Sequence, residues 1–448
     1  MIEHASKETG QEIVKFAVKH FGCKVNQYEL QAMRELLIKK GYLPVTALSQ
    51  ADLLLVNTCT VTRASAAKNR KFIESVLKRY PTLRLVVTGC YIEEHFAEYA
   101  CRDRIVPVRN CLKGSILSVI GAHHRDGTAT QPKSPSGESA YIPLQVSEFA
   151  GRTRGFIKIQ DGCSKFCSYC KIPFVRGVSR SRPFDEIVPE AERLVAHGIK
   201  EIVLTGICVG LYGRDLKDKV TLVDVVKSLA RIRGIGRIRL SSIEPEQVTG
   251  ELIEAIETSK IVCPHLHIPL QSGDDTILSL MRRPYSAAYY LSLVDVLRRK
   301  IPKVAISTDI MVGFPGEGEN EFFNTVKLLE HVKPMRMHIF PFSPKEGTRA
   351  ADLPDRISAQ AVKKRAGFLK EKAQEYARLY AEDFLGKRAG VLIEERQDAK
   401  TQLFSGYTET YIRVLVSNAC RDDVGGIKEV IVNRVSGQEV FGGIVKNS

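Results

Sequence analysis

Residues 155–170 read GFIKIQDGCSKFCSYC: a strand-like apolar run, a glycine, then Cys163, Cys167 and Cys170 in the spacing C-x3-C-x2-C. Three thiolates on one short loop can bind three irons of a cubane and leave the fourth iron without a protein ligand. Structural zinc takes four protein ligands, and no fourth Cys or His follows within the next several residues, so zinc is the weaker reading and a chance run of buried thiols a third. Downstream of this loop, EIVLTG, RIRLSS, HLHIPLQ, VAISTDIMVG and MRMHIFPF read as further strands. Helical stretches beginning near Phe184, Leu222, Glu246, Asp274 and Glu319 separate them. Six strands with five intervening helices predict a partial parallel barrel, shorter than an eight-fold one, whose working face is the C-terminal strand ends.

Upstream, the first 120 residues alternate strand-like AVKHFG, ADLLLVN and LRLVVTG with helical NQYELQAMRELLIKKG and RASAAKNRKFIESVLKRY, the pattern of an open parallel α/β sheet. Asn26 and Glu29 read as a capping box opening the first helix, and Gly41 as its left-handed stop. Cys23, Cys59 and Cys90 each fall just past a predicted strand, at the end of the sheet where ligands collect; ordinary buried thiols are the alternative. Cys101, Cys111, Cys208, Cys263 and Cys420 have no such setting and read as structural.

After a charged helix from Ser358 to about Ala381, the segments RAGVLIEE, LFSGYTET, YIRVLVS, IKEVIVNRV and EVFGGIV predict a small five-stranded barrel. The stretch HHRDGTATQPKSPSGES, rich in Gly, Pro, Ser and Thr, reads as a linker. The expected class is α/β, with an N-terminal sheet domain over 14–122, a linker over 123–150, the partial barrel over 151–383 and the small barrel over 384–448. With 448 residues, 44% hydrophobic and 26% charged, the chain has ordinary globular composition, which excludes a peptide hormone or a disordered polymer. The opening residues lack an apolar signal core and no run of 18 apolar residues occurs, predicting a cytoplasmic protein without a membrane span. Eleven cysteines in such a chain point to metal ligation or catalysis rather than disulfides.

The loop CSKFCSYC resembles the signature of radical S-adenosylmethionine (radical SAM) enzymes. The resemblance implies Cys163, Cys167 and Cys170 as ligands of a 4Fe-4S cluster whose open iron chelates S-adenosylmethionine. It further implies Tyr169, Thr205, Gly206 and Gln271 as cofactor-binding residues. FGCKVNQYE, VNTCTVT and VTGCY resemble the N-terminal domain of the methylthiotransferases, which implies that Cys23, Cys59 and Cys90 hold a second, auxiliary 4Fe-4S cluster. HIPLQSGDDTILSLMRRPY, TDIMVGFPGE and FPFSPKEGTRA look like further motifs of that family, and 384–448 like its TRAM domain, a nucleic-acid-binding barrel. Cys208 stands where Asn is more usual. KVNQYE and IKIQDGC resemble the branch that methylthiolates C2 of N6-threonylcarbamoyladenosine at tRNA position 37. That reading implies a reducing electron-donor protein and leaves the sulfur source open. The alternatives are methylthiolation of isopentenyladenosine in tRNA or of a ribosomal protein, or a non-catalytic iron-sulfur RNA-binding protein.

Charge favours a polyanionic partner, here a tRNA anticodon stem-loop: the net charge is +15, and between Gly151 and Pro183 eight basic residues face Asp161 alone. Arg176, Arg180 and Arg182 are accordingly expected to contact RNA phosphates. In the nearly balanced tail, Arg413 with Tyr407 or Tyr411 is expected to do so.

Overall fold

The computed structural model describes residues 13–60, 62–126, 141–149 and 152–445. These fall into two compact units. One runs through Ser147 and includes Gly162–Ser164 and Lys171–Arg180; the other holds Glu148–Asp161, Lys165–Cys170 and the chain from Ser181 onward.

The first unit is a five-stranded, wholly parallel sheet of β1 (Lys15–His20), β2 (Leu43–Pro44), β3 (Leu53–Thr58), β4 (Arg84–Gly89) and β5 (Ile105–Val108), in the order β2-β1-β3-β4-β5. The two edge strands β2 and β5 were not apparent in the sequence, being short and weakly patterned. The central strand LLLVNT is buried at every position because helices cover both faces. Ala17, Leu54, Val56, Leu85 and Val87 pack on one side with Ile73 and Val76 of the helix Arg63–Arg79. Phe16, Leu53, Leu55 and Val86 pack on the other with Leu30, Met33 and Leu37 of the helix Lys24–Lys39 and with Ile116 and Ile120 of Ile116–Asp126. The expected linker is partly corrected, since its first residues, through Asp126, continue that last helix; 127–140 and 150 lie outside the described residues.

The expected capping box is corrected as well. The first helix begins at Lys24, immediately after Cys23, so Asn26 and Glu29 lie inside it and are fully buried. Gly41 does adopt a positive φ of 93° past the helix end, as a left-handed stop requires.

In the second unit, β6 (Arg154–Lys158), β7 (Glu201–Thr205) and β8 (Arg237–Leu240) form a parallel sheet in the order β8-β7-β6. Three more strands, β9 (His265–His267), β10 (Ala305–Val312) and β11 (Arg336–Pro341), form a second parallel sheet in sequence order. A single parallel bridge, Ile238 to Val262, joins the two sets, giving the partial six-stranded barrel. The helix expected from Asp274 is in fact two, Asp275–Leu280 capped by Asp274 and Ala287–Lys300 capped by Ser286. The helix expected from Glu246 begins at Gly250 behind the Thr249 cap.

The C-terminal strands β12 (Arg388–Gln397), β13 (Phe404–Thr408), β14 (Arg413–Val416), β15 (Ile427–Ser436) and β16 (Glu439–Ile444) close into a barrel, β12-β13-β14-β16-β15. A buried ionic layer attaches it to the parallel strands. Arg239, 1% exposed, grips Glu201 through two nitrogens at 2.8 and 3.2 Å and donates to the carbonyls of Thr408 and Glu409. Tyr411 lies 5.0 Å from the rings of both Tyr407 and His265, with the guanidinium of Arg239 4.4 Å from its centroid and that of Arg336 5.0 Å away. Among the described residues no helix is long and apolar enough to cross a membrane.

Candidate metal centres

The strand order of the first unit reverses between β1 and β3, and in such sheets the crevice past the carboxyl ends at that point is the natural binding site. Cys23 follows β1, Cys59 follows β3 and Cys90 follows β4, so the three sit beyond the ends of three adjacent strands. The local chain is shaped to bring them close. Gly22 is so near Cys59 that a Cβ there would fall 2.6 Å from its Sγ. Gly89, at φ 99°, sits where a Cβ would be 2.3 Å from the Thr58 carbonyl oxygen; only glycine lets the chain pass β3 and start a helix at Cys90. Asn26 donates from one amide to Phe21 O and Thr58 O, both at 2.8 Å, and Asn57 donates to Asn26 O at 3.0 Å. The loops after β1 and β3 are thereby locked together.

Behind these cysteines lies a charge cluster at zero exposure. Arg176 Nη1 meets Glu29 Oε1 at 2.9 Å, Arg176 Nη2 meets Asn26 Oδ1 at 2.7 Å, and Lys113 Nζ meets Glu29 Oε2 at 2.5 Å. The Nε–H of Arg176 points at Cys90 Sγ, 3.2 Å away. Two cations thus share one carboxylate. Burial, and then the Arg176 charge, hold the Lys113 ammonium below its usual pKa against the pull of Glu29. Cys23 is exposed as a residue while its thiol is packed about by protein; that desolvation pushes its pKa up and Arg176 pulls it down.

Cys163, Cys167 and Cys170 are each half-buried. Within the first unit, Gly162 at φ 70° abuts Val178 O, and Cys163 N donates to Gly177 O at 3.0 Å. Within the second, Phe166 takes a left-handed φ of 49°, Cys170 N closes a turn on Cys167 O, and Ser168 is pinned at its N–H by Met281 O and at its carbonyl by Ala350 N. Arg283 Nη1 points at Cys167 Sγ at 3.4 Å and forms an ion pair with Glu244.

Tyr169 packs with Met281, Ile277 and Ala350 and edge-on to Phe314 at 6.4 Å; burial holds its hydroxyl well above its usual pKa. Thr205 is buried and its carbonyl accepts from Ile159 N. Gly206 lies against Gln160, whose side-chain oxygen takes the N–H groups of Ile207 and Cys208. Cys208 is buried and receives the Gln247 amide at 3.2 Å. Gln271 has a left-handed φ of 67°, with its backbone held by Asp309 O and Met311 N, while its side chain makes no hydrogen bond to the described residues. Nearby on β9, β10 and β11, His267 Nε2 and His338 Nδ1 converge on Asp309 Oδ1 at 3.2 and 3.1 Å. Burial raises the Asp309 carboxyl's pKa, but the two imidazole bonds outweigh it and hold the group below the usual carboxylate range.

The arginines expected on phosphates are corrected. The Arg176 side chain has no exposed surface and serves Glu29, Asn26 and Cys90. Arg182 likewise has none, lying against Glu190 and, at 3.2 Å, Glu186. Arg180 is 6% exposed, with Nη2 on the carbonyl of Arg176. Most of the local excess of charge is spent internally, with Lys158 on Asp161, Arg154 on Glu394, Lys165 on Glu246 and Lys171 on Glu94. Tyr407 and Tyr411 stay partly exposed, while the layer joining the small barrel to the parallel strands engages their rings. Arg413 keeps 40% of its side chain exposed while bonding Asp398 at 3.0 Å. Sequence reasoning missed Glu29, Lys113, Arg283 and Glu244. Glu29 carries a local signal that points to a cap rather than to a buried ion pair, Lys113 carries none, and Arg283 lies in the MRRPY segment.

Residues 157–329 match the radical SAM superfamily, and residues 15–107 match an uncharacterized protein family, UPF0004. The chain is 36% identical to the threonylcarbamoyladenosine tRNA methylthiotransferase MtaB of Bacillus subtilis, the match covering 91% of each. It is 34% identical to the tRNA-2-methylthio-N(6)-dimethylallyladenosine synthase of Methylacidiphilum infernorum, over 89% of this chain and 88% of that one. Among solved structures, the radical S-adenosylmethionine methyltransferase TsrM of Kitasatospora setae has a TM-score of 0.55 at 14% identity, covering 76% of this chain and 74% of that one, a likeness of fold alone.

Proposed function

The chain belongs to the radical SAM methylthiotransferases, and from that premise we propose that it installs a methylthio group at C2 of N6-threonylcarbamoyladenosine at position 37 of tRNA, in the cytoplasm. The observation that carries this reading is the correspondence, over nine-tenths of both chains, with a relative named for that substrate. The enzymes of this family use 4Fe-4S clusters and S-adenosylmethionine, and the donor sets here fit them. Each trio consists of soft thiolates with an arginine N–H directed at one sulfur. At the N-terminal trio the buried Arg176 guanidinium, directed at Cys90 Sγ, complements an anionic ligand set.

In this reading Cys163, Cys167 and Cys170 hold the cluster that takes S-adenosylmethionine, with Tyr169, Thr205, Gly206 and Gln271 beside the cofactor, and Cys23, Cys59 and Cys90 hold the auxiliary cluster. Bound there, these groups supply the one-electron chemistry that activates C2 and the sulfur that is delivered to it. The protein's part is positional: Gly89 and the paired asparagines fix the auxiliary loops, while Ser168 and Arg283 fix the central one. His267, Asp309 and His338 offer hydrogen-bonding groups of the kind a carboxylate, hydroxyl and ureido substituent requires, whereas an isopentenyl group would leave such groups unpaired. The test is methylthiolation of matched anticodon stem-loops differing only at N6, read by nucleoside mass spectrometry. The threonylcarbamoyl substrate gains the methylthio mass; comparable turnover of the isopentenyl substrate, or preferred modification of a ribosomal protein, overturns the assignment.

A further inference from the structure

Arg176 lies six residues beyond Cys170 in the chain, yet its guanidinium belongs to the first unit, with Nε–H on Cys90 Sγ at 3.2 Å and both terminal nitrogens on Glu29 or Asn26. Every side chain in that chain of contacts is buried. Glu29 is shared, with Lys113 on one oxygen and Arg176 on the other, so the guanidinium does not have the carboxylate to itself. Beyond that carboxylate, the Arg176 Nε–H is directed at the Cys90 sulfur, which sets a buried positive charge directly against a thiol.

We propose that Arg176 is a positioning residue for the auxiliary cluster, supplying the positive charge and the N–H···S hydrogen bond that set its reduction potential. Reduction adds one electron and hence one negative charge to the cluster. A guanidinium held against a ligand sulfur in a low-dielectric site stabilises that reduced state relative to the oxidised one. Removing Arg176 therefore moves the potential to more negative values. The geometry makes the residue separable from the fold. Without Arg176, Glu29 and Lys113 remain as a balanced buried pair, so Arg176→Met leaves no stranded charge behind.

The inference rests on the reading of Cys23, Cys59 and Cys90 as cluster ligands. Its test uses the full-length chain carrying Cys163→Ala, Cys167→Ala and Cys170→Ala, so that only the auxiliary cluster can be loaded. The potential is measured by titration with dithionite through mediator dyes, followed by electron paramagnetic resonance. Arg176→Met should titrate at a more negative potential than the parent, and Arg176→Lys, which keeps the charge but lacks the Nε–H, should fall between them. Lys113→Met removes a cation from the same carboxylate without touching the sulfur and should shift the potential less than Arg176→Met. A parental potential in Arg176→Met, or a shift no larger than that of Lys113→Met, overturns the proposal. Should Arg176→Met fold without retaining iron, recovery of iron in Arg176→Lys sustains it, and iron missing from both overturns it. Failure of the underlying ligand reading looks different: the parent with an intact N-terminal trio would itself bind no iron.

Discussion

Around Cys90, a guanidinium and an ammonium share Glu29 with no solvent-exposed surface on any of the three; around Cys167, Arg283 leans on a Glu244 that keeps 18% of its side chain exposed. The same device, an arginine held by a carboxylate and aimed at a sulfur, is thus built once with every partner sealed and once with a buried arginine on a partly exposed carboxylate. The sealed version turns charge balance into a condition of folding, because water cannot relieve a missing partner. The second version strands one buried cation rather than two, beside a carboxylate that water partly reaches.

The largest expected effect separates the two trios by task. Replacing Cys163, Cys167 and Cys170 with alanine should abolish reductive cleavage of S-adenosylmethionine while about four of about eight irons remain. Replacing Cys23, Cys59 and Cys90 should spare cleavage and stop methylthio transfer. Iron analysis and deoxyadenosine release measure both, and equal loss of cleavage in folded variants of the two kinds would erase the division.

Stability tests the sealed-against-accessible contrast. Glu29→Ala strands two buried cations and should cost about 3–5 kcal/mol in denaturant unfolding. Glu244→Ala strands one cation, Arg283, 2% exposed, beside a carboxylate position that is partly open to water, and should cost less, about 1.5–3 kcal/mol. Comparable losses would show that the two carboxylates are enclosed alike.

A third expectation concerns two arginines from one basic stretch. Arg182→Ala leaves Glu190 buried without its guanidinium and should also cost about 3–5 kcal/mol. The surviving folded protein should bind tRNA with unchanged salt dependence; a shallower salt slope would return Arg182 to the RNA interface. The smallest effect is expected at Arg413, the one exposed member of the predicted RNA set. Arg413→Ala should weaken tRNA binding slightly and lower the salt slope by about one.

The contrast also explains which parts of the molecule could be read from the chain. The three central strands of the first sheet, β1, β3 and β4, and those of the partial barrel are legible because hydrophobic runs and their spacing are local properties, and the five terminal strands are likewise set off by their turns. The cysteine loops were visible because each follows a strand, which puts it at one end of a parallel sheet whatever the side chains do. The capping box failed for the opposite reason. Asn26 and Glu29 have the right spacing for a local role, but once the sheet forms, Phe21 O, Thr58 O, Lys113 and Arg176 are all within reach and claim them.

Charge was the least readable property. The sequence by itself determined how many cations lie between Gly151 and Pro183, and that determined the expectation of an RNA-facing loop. Only the tertiary structure decided that Arg176 would meet Glu29, 147 residues away along the chain, that Arg154 would meet Glu394, and that Arg182 would be sealed against Glu190. Secondary structure follows from neighbours a few positions apart, so a single sequence carries it. The fate of a charge depends on which distant carboxylate folding brings within about 4 Å and on whether water is left beside the pair, and neither is written in local spacing.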